Sequence, residues 1–257
     1  MTYTVDAVDK ALDILFLVAE HPGLGVTELA RRAGMTKARS YRLLDTLEKC
    51  GLVRRDNAAP IYRLGYMAMF LGARAREQLR LVRLAMHYLD DMVGQLNEHV
   101  YVRVRDGLDS VCIAHRDTGH EIRVHTHVGS RKPLYAGASG KLLAAYAEEE
   151  VQRAVLAGKK QTFTPATLTT HTVLEREFQQ IRRQGYSISR GERVSGMVAM
   201  AVPVRDASGR VIAALSVALP EFRCSDERLD GFFTVLEKSA VRLSRELGYE
   251  VLVEEGG

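Results

Sequence analysis

The sequence predicts an α+β protein of two domains: a three-helix unit with a β-hairpin, then helices packed on an antiparallel sheet. Three observations carry this expectation. The chain has 257 residues, more than the ~100 to 200 that one core commonly organises. Apolar residues recur at helical spacing through the first fifty positions, and Gly23, Gly34 and Gly51 punctuate them. From Val100 onward, short alternating runs are interleaved with helical segments, a mixture that argues helices on an antiparallel sheet.

Taken in order, Val8, Ala11, Leu12, Leu15 and Ala19 share one face of a helix from Asp6 to His21, which Pro22-Gly23 ends. Thr27 stands where a hydroxyl caps a short second helix through Ala33, and Gly34 supplies its left-handed exit. Thr36 caps a third segment whose Ser40, Leu43, Leu44 and Leu47 face inward until Gly51 stops it. Residues 52–56 and 61–65, with Asn57-Ala58-Ala59-Pro60 between them, read as the two strands of a hairpin. This is the outline of a winged helix-turn-helix over residues 1–65. Leu, Met, Ala and Arg dominate from Tyr66 to about Leu96, a linking helix with Gly72 as its weak point. Residues 66–80 are assigned to the link and 81–250 to the second domain. There, residues 100–104, 110–114 and 122–128 alternate as strands, Ser139 opens a helix through Tyr146, and 172–184 form another helix. Residues 198–204 and 210–219 are strands, and the last helix, from about Ser225 to Leu247, carries Leu229, Phe232, Leu236, Ala240, Leu243 and Leu247 on one stripe.

Composition excludes several classes. At 46% hydrophobic and 26% charged, with 6 prolines, the chain is neither collagen-like nor disordered. No apolar run approaches the ~20 residues of a membrane-spanning helix, and the start lacks a basic segment followed by an apolar one. No membrane partner and a cytoplasmic location are therefore expected. Cys50, Cys112 and Cys224 are far apart and odd in number, which fits isolated thiols better than a metal or redox pair. A formal charge of +4 permits a polyanionic partner without requiring one, so the placement of charge matters more than its sum.

That placement is local. Residues 26–55 hold eight cations against three anions. On the third helix the inward stripe leaves Lys37, Arg39, Tyr41 and Arg42 facing out near its N-terminal end, the end that meets base edges in helix-turn-helix docking. Arg39 and Arg42 are the candidates for sequence readout, since arginine makes two parallel hydrogen bonds to guanine. Thr27, Lys37, Tyr41, Arg54, Arg55 and Arg63 are placed to hold phosphates. A solvated helix face is the plainer account of such a charge run. The helical spacing, the turn at Gly34 and the basic hairpin agree with one another and favour double-stranded DNA.

Asp9-Lys-Ala-Leu-Asp-Ile-Leu, Thr27-Glu-Leu-Ala-Arg-Arg-Ala-Gly, Tyr41-Arg-Leu-Leu-Asp-Thr-Leu-Glu, Gly51-Leu-Val-Arg-Arg-Asp and Tyr62-Arg-Leu-Gly65 resemble the IclR family of bacterial transcriptional regulators. The resemblance continues through Gly129-Ser-Arg-Lys-Pro-Leu-Tyr-Ala-Gly-Ala-Ser-Gly-Lys141 and Ala201-Val-Pro-Val204 to Ala213-Ala-Leu-Ser-Val217, so it covers nearly the whole chain. Ala38-Arg39 stands where the family often has a Ser-Thr pair, and the DNA sequence that relatives recognise is not carried over.

In the second domain, Pro133-Leu-Tyr-Ala-Gly-Ala-Ser-Gly-Lys141 brings a glycine-containing loop into a helix. Free N–H groups at such a junction suit a carboxylate or phosphate, although a tight turn that binds nothing has the same sequence. The loop fails the nucleotide phosphate-loop pattern, which needs glycine at Tyr135 and a hydroxyl at Leu142, and Lys141 breaks a nucleophile elbow. The resemblance implies that this domain is GAF-like and binds a small organic acid. It implies Ala136, Gly137, Glu192, Ala199, Met200, Ser216 and Ala218 as pocket positions. Ala199 and Ala218 replace polar residues of relatives that take small polar acids. Fewer donors predict a more apolar effector, an aromatic or longer-chain carboxylate.

His115, His120, His125 and His127 cluster in sequence, with His125 and His127 on one face of the expected strand. No third ligand stands at usable spacing, so they read as surface or pocket-lining residues, and no metal or cofactor is expected. An enzyme using His125, His127 and Glu192 lacks any nucleophile motif or cofactor fingerprint. The expected function is therefore a ligand-responsive transcriptional regulator, a homodimer or homotetramer on an inverted-repeat operator. Met67, Met69, Phe70 and Leu71 are its expected pairing surface. The alternative is a sensor whose winged helix docks protein instead of DNA.

Overall fold

The computed structural model describes residues 4–56, 59–124 and 126–250, and the chain divides between Leu79 and Arg80 into two compact units. The first holds α1 (Asp6–Glu20), β1 (Leu24–Gly25), α2 (Val26–Arg32), α3 (Lys37–Lys49), β2 (Val53–Arg55), β3 (Ile61–Leu64) and α4 (Tyr66–Gln78). Its small antiparallel sheet runs β1-β3-β2. Ile14, Val18, Leu29, Leu44, Leu47, Val53 and Tyr62 form the core. The helix-turn-helix turn is closed by Gly34 at φ +61°, a left-handed conformation that costs glycine little. Thr36 accepts a hydrogen bond from the Arg39 backbone N–H at 3.3 Å and caps α3 as expected. A Cβ on Gly65 would lie 2.2 Å from the Gly51 carbonyl oxygen, so only glycine lets the end of the wing approach the end of α3 this closely.

Several expectations in this unit are corrected. Val8 and Leu12 are exposed together with Phe16, and α1 buries Ile14 and Val18 instead, an i, i+4 pair on a different face. Thr27 caps nothing: α2 starts two residues earlier than expected, with Gly25 at its N-cap and no side-chain cap bond. The cause is β1, unforeseen from sequence, whose Leu24 and Gly25 pair with Tyr62 and Ile61 and deliver the chain directly into the helix. The expected hairpin turn includes Asn57 and Ala58, which lie outside the described residues. The helix beginning at Tyr66 is interrupted at Leu79, in an extended conformation, rather than at Gly72.

The second unit is a three-layer arrangement around a six-stranded antiparallel sheet of order β6-β5-β4-β9-β8-β7. Its elements are α5 (Arg80–Leu96), β4 (His99–Asp106), β5 (Asp109–Arg116), β6 (Arg131–Pro133), α6 (Ala138–Ala145), α7 (Glu149–Ala157), α8 (His171–Gln184), β7 (Ser187–Arg190), β8 (Met197–Arg205), β9 (Val211–Pro220) and α9 (Asp226–Glu246). One face, with Val100, Val102, Val202 and Leu215, packs on α5 and α9. The other face packs on α6, α7 and α8 through Ala201 and Ala214. Residues 122–124 and 126–128 are not part of the expected strand. Ile122 and Val128 are exposed, and the ladder beside β5 is closed by Gly129, Ser130 and β6 instead. β6, β7 and α7 were not anticipated. No helix among the described residues is long and apolar enough to cross a membrane.

Candidate functional site

The inward stripe of α3, with Ser40, Leu44 and Leu47 buried, turns Lys37, Arg39, Tyr41 and Arg42 outward, where all four are exposed. Not every cation nearby is available. Arg31 and Arg32 both bond the Glu28 carboxylate, which their hydrogen bonds hold down at about 2, and Lys49 pairs with Asp45 at 2.7 Å. Arg39 forms an ion pair with Asp6 of α1, so this expected base reader is already engaged within its own unit. Lys37 and Arg42 have no side-chain ion pair or hydrogen bond among the described residues. In the wing, Arg54 stands directly opposite Arg63, and its guanidinium lies 5.7 Å from the Tyr66 ring centre. Arg55 is exposed beside them, and Thr27 is exposed on α2. Like charges opposed across a ladder destabilise it, whereas a phosphate between them removes the repulsion.

In the second unit the uncovered part of the sheet floors a cavity of about 380 Å3. Ala136, Gly137, Glu192, Ala199 and Ala218 line it, as do Tyr101, Arg103, Ser110, Lys132, Ser139 and Arg193. Met200 is a correction: strand alternation sends it to the opposite face, into the core beneath α5 and α9. Ser216 is fully buried and does not line the cavity; its Oγ lies 2.8 Å from that of Ser139. Ser139 is accordingly an internal residue of α6, whose N-cap is Gly137.

Glu192 is also consumed internally. One carboxylate oxygen accepts from the Gly137 backbone N–H at 2.9 Å and the other from Lys141 Nζ at 2.5 Å. Lys141 in turn donates to Glu177 at 2.6 Å and to the Ile188 carbonyl at 2.9 Å. The N–H group expected to receive a ligand's carboxylate thus already receives one from this chain.

Three of the groups left for a ligand, Arg103, Lys132 and Arg193, had no place in the sequence reading. Arg103, 1% exposed, donates to Ser110 and to the Ser130 carbonyl but forms no ion pair among the described residues. Burial pulls its guanidinium down. Burial, and then Arg103, does the same to Arg193, whose guanidinium lies 4.2 Å from the Phe163 ring centre and whose Nη1 is buried without a hydrogen-bond partner. Lys132 is pushed down to about 8, first by burial and then by Arg103 and Arg193. Tyr101 is raised by burial. Ala199 and Ala218 make one smooth wall, and four cations, Arg103, Arg123, Lys132 and Arg193, face the same space. One signal was available, since Arg103 alternates with Tyr101 on one face of a strand whose neighbouring positions are Val100, Val102 and Val104. Lys132 and Arg193 gave none. His127 is exposed outside the cavity lining, His120 lies 3.3 Å from Asn97 Nδ2, and His125 lies outside the described residues.

Comparison with known proteins places both units in one family. The family described as bacterial transcriptional regulator IclR C-terminal matches residues 73–245, and the IclR helix-turn-helix domain matches residues 7–57. The chain is 33% identical over 248 residues to the HTH-type transcriptional regulator KdgR of Escherichia coli (strain K12), covering 96% of this chain and 94% of that one. It is 31% identical over 247 residues to the HTH-type transcriptional regulator XynR of the same organism, covering 95% and 98%. An IclR transcriptional regulator from Alicyclobacillus acidocaldarius superposes with a TM-score of 0.87 at 29% identity, covering 95% of this chain and 99% of that one. These relatives are regulators, not enzymes. With a helix-turn-helix that presents basic side chains and a second domain built around a cationic cavity, the chain belongs to the IclR family of DNA-binding bacterial transcriptional regulators.

Proposed function

We propose that operator binding by this regulator is controlled by a small organic acid carrying two negative groups, held in the cavity of residues 81–250. Residues 1–65 read the operator and residues 66–80 link the two. The observation that carries the reading is the cluster of Arg103, Lys132 and Arg193 around one cavity, with no ion pair to any of them among the described residues. Buried cations are ordinarily paired, and the one carboxylate in the lining, Glu192, is already bound to Lys141. A dianion supplies the missing charge, and the wall of Ala199 and Ala218 suits an apolar or aromatic body between the acid groups. The effector acts by binding the DNA-competent and DNA-incompetent arrangements with unequal affinity, since equal affinity shifts nothing.

On the operator, Arg42 reads base edges, joined by Arg39 once it leaves Asp6. Thr27, Lys37, Tyr41, Arg54, Arg55 and Arg63 hold phosphates. Two-fold pairing of copies, as a homodimer or within a homotetramer, matches an inverted repeat, and the cytoplasm is the setting in which such a regulator meets DNA. The test has two arms. Titration of the duplex upstream of the protein's own gene, against a scrambled duplex at two salt concentrations, should give specific binding that weakens steeply with salt. A salt-independent interaction would instead favour docking to a protein. Calorimetry with matched mono- and dicarboxylates at constant ionic strength should favour the dianions, and equal affinities would remove the effector assignment.

A further inference from the structure

We propose that His99, His115 and Asp117 bind a divalent transition-metal ion of the zinc class, at a site separate from the effector cavity. His99 opens β4 and His115 stands near the end of β5. Tyr101 and His115 are directly opposite in this ladder, so alternation along β4 puts His99 on the same face as His115. Asp117 follows immediately after β5. Its Oδ1 lies 3.0 Å from His99 Nδ1 and 3.5 Å from His115 Nδ1, and one ligand atom from each of the three residues falls within 4.8 Å of the others.

These spacings suit a metal. Ligand atoms about 2.0 to 2.1 Å from a tetrahedral ion stand roughly 3.3 Å apart, and the two recorded separations bracket that value. Two imidazoles and one carboxylate are a common donor set for zinc, with the fourth position open to water. Hydrogen bonding alone leaves the cluster incomplete: His115 Nδ1 and His99 Nε2 are both buried without a hydrogen-bond partner. One cation facing Asp117 and both Nδ1 atoms satisfies the first of these and replaces a single His–Asp contact with three bonds. The sequence reading drew no metal site because it looked for ligands among neighbouring histidines. His99 enters from 16 positions earlier, brought in by strand pairing.

The test uses the full chain, freed of metal with a chelator and then titrated with zinc against a chromophoric competitor, and separately with cobalt. One zinc per chain and the intense visible absorption of tetrahedral or five-coordinate cobalt are expected. His115→Ala and Asp117→Asn should each weaken zinc binding by at least about 100-fold, because loss of a partner one bond further out already costs about 10- to 100-fold. His120→Ala should leave it unchanged. Asp117→Asn is nearly isosteric at a partly exposed position, so it remains informative if His115→Ala misfolds, which a thermal melt reports. No zinc uptake by the wild-type chain, or uptake equal in the wild type and Asp117→Asn, overturns the proposal and leaves a hydrogen-bonded His99–Asp117 pair.

Discussion

Lys141 is 1% exposed and joins α6 to α8 through Glu177, to β7 through the Ile188 carbonyl and to the loop after β7 through Glu192. Its value lies in what its removal leaves behind. Lys141→Met strands two carboxylates, one of them buried, and should cost about 3–5 kcal/mol, measured as a lower urea midpoint. Little change would mean that water reaches Glu192. Lys132 behaves differently because its charge is unpaired. Its pKa falls from 10.5 to about 8 on folding, so between those values the unfolded chain binds more protons and stability rises with pH. The penalty is fully present below pH 8. A bound dianion reverses the shift and favours the ammonium. Effector binding near pH 8.5 should therefore take up protons, and affinity should fall as pH climbs past 8. Calorimetry in two buffers of different ionisation heat measures this uptake, and heats independent of buffer would count against Lys132 facing the ligand.

At the scale of elements, α3 depends on its first turn. Thr36→Ala removes the hydroxyl that receives the Arg39 N–H and should lower stability by about 1 kcal/mol, read by thermal denaturation. The wing should respond in the opposite sense. Arg63 opposes Arg54, so Arg63→Ala should leave the free protein equally stable or slightly more so, while reducing the salt slope of operator binding by about one. An unchanged slope would take Arg63 off the phosphate backbone. The periodicity of α3 was legible because one buried stripe decides which side faces out. The face of α1 was less so, because it carries apolar residues on more than one side: Ile14 and Val18 are buried, while Val8, Leu12 and Phe16 are exposed.

For the whole molecule, the exposed apolar residues are the feature a single chain does not explain. Tyr66, Met67, Met69, Phe70 and Leu71 on α4 are all exposed, and α4 buries no residue. We propose that this cluster is where copies of the chain pair, since contiguous exposed apolar surface favours association. Phe70→Glu should shift the protein toward smaller species in sedimentation and weaken binding to an inverted-repeat duplex more than to a half-site. An unchanged mass would move the pairing surface elsewhere.

The sequence by itself determined the two-part α+β architecture, the helix-turn-helix and its outward basic face, the principal strands and helices of the second unit, and the family. Each of these is written in local spacing or in ordered motifs, which survive without knowledge of distant neighbours. The tertiary structure alone decided which charges are free. Arg39 meets Asp6 across 33 positions and Glu192 meets Lys141 across 51, so two expected binding residues are engaged by partners that no local pattern reveals. Conversely, Arg103 from β4, Lys132 from β6 and Arg193 from the loop after β7 converge on one cavity. The reach of a charge depends on distance and burial, and both are properties of the folded sheet rather than of spacing along the chain.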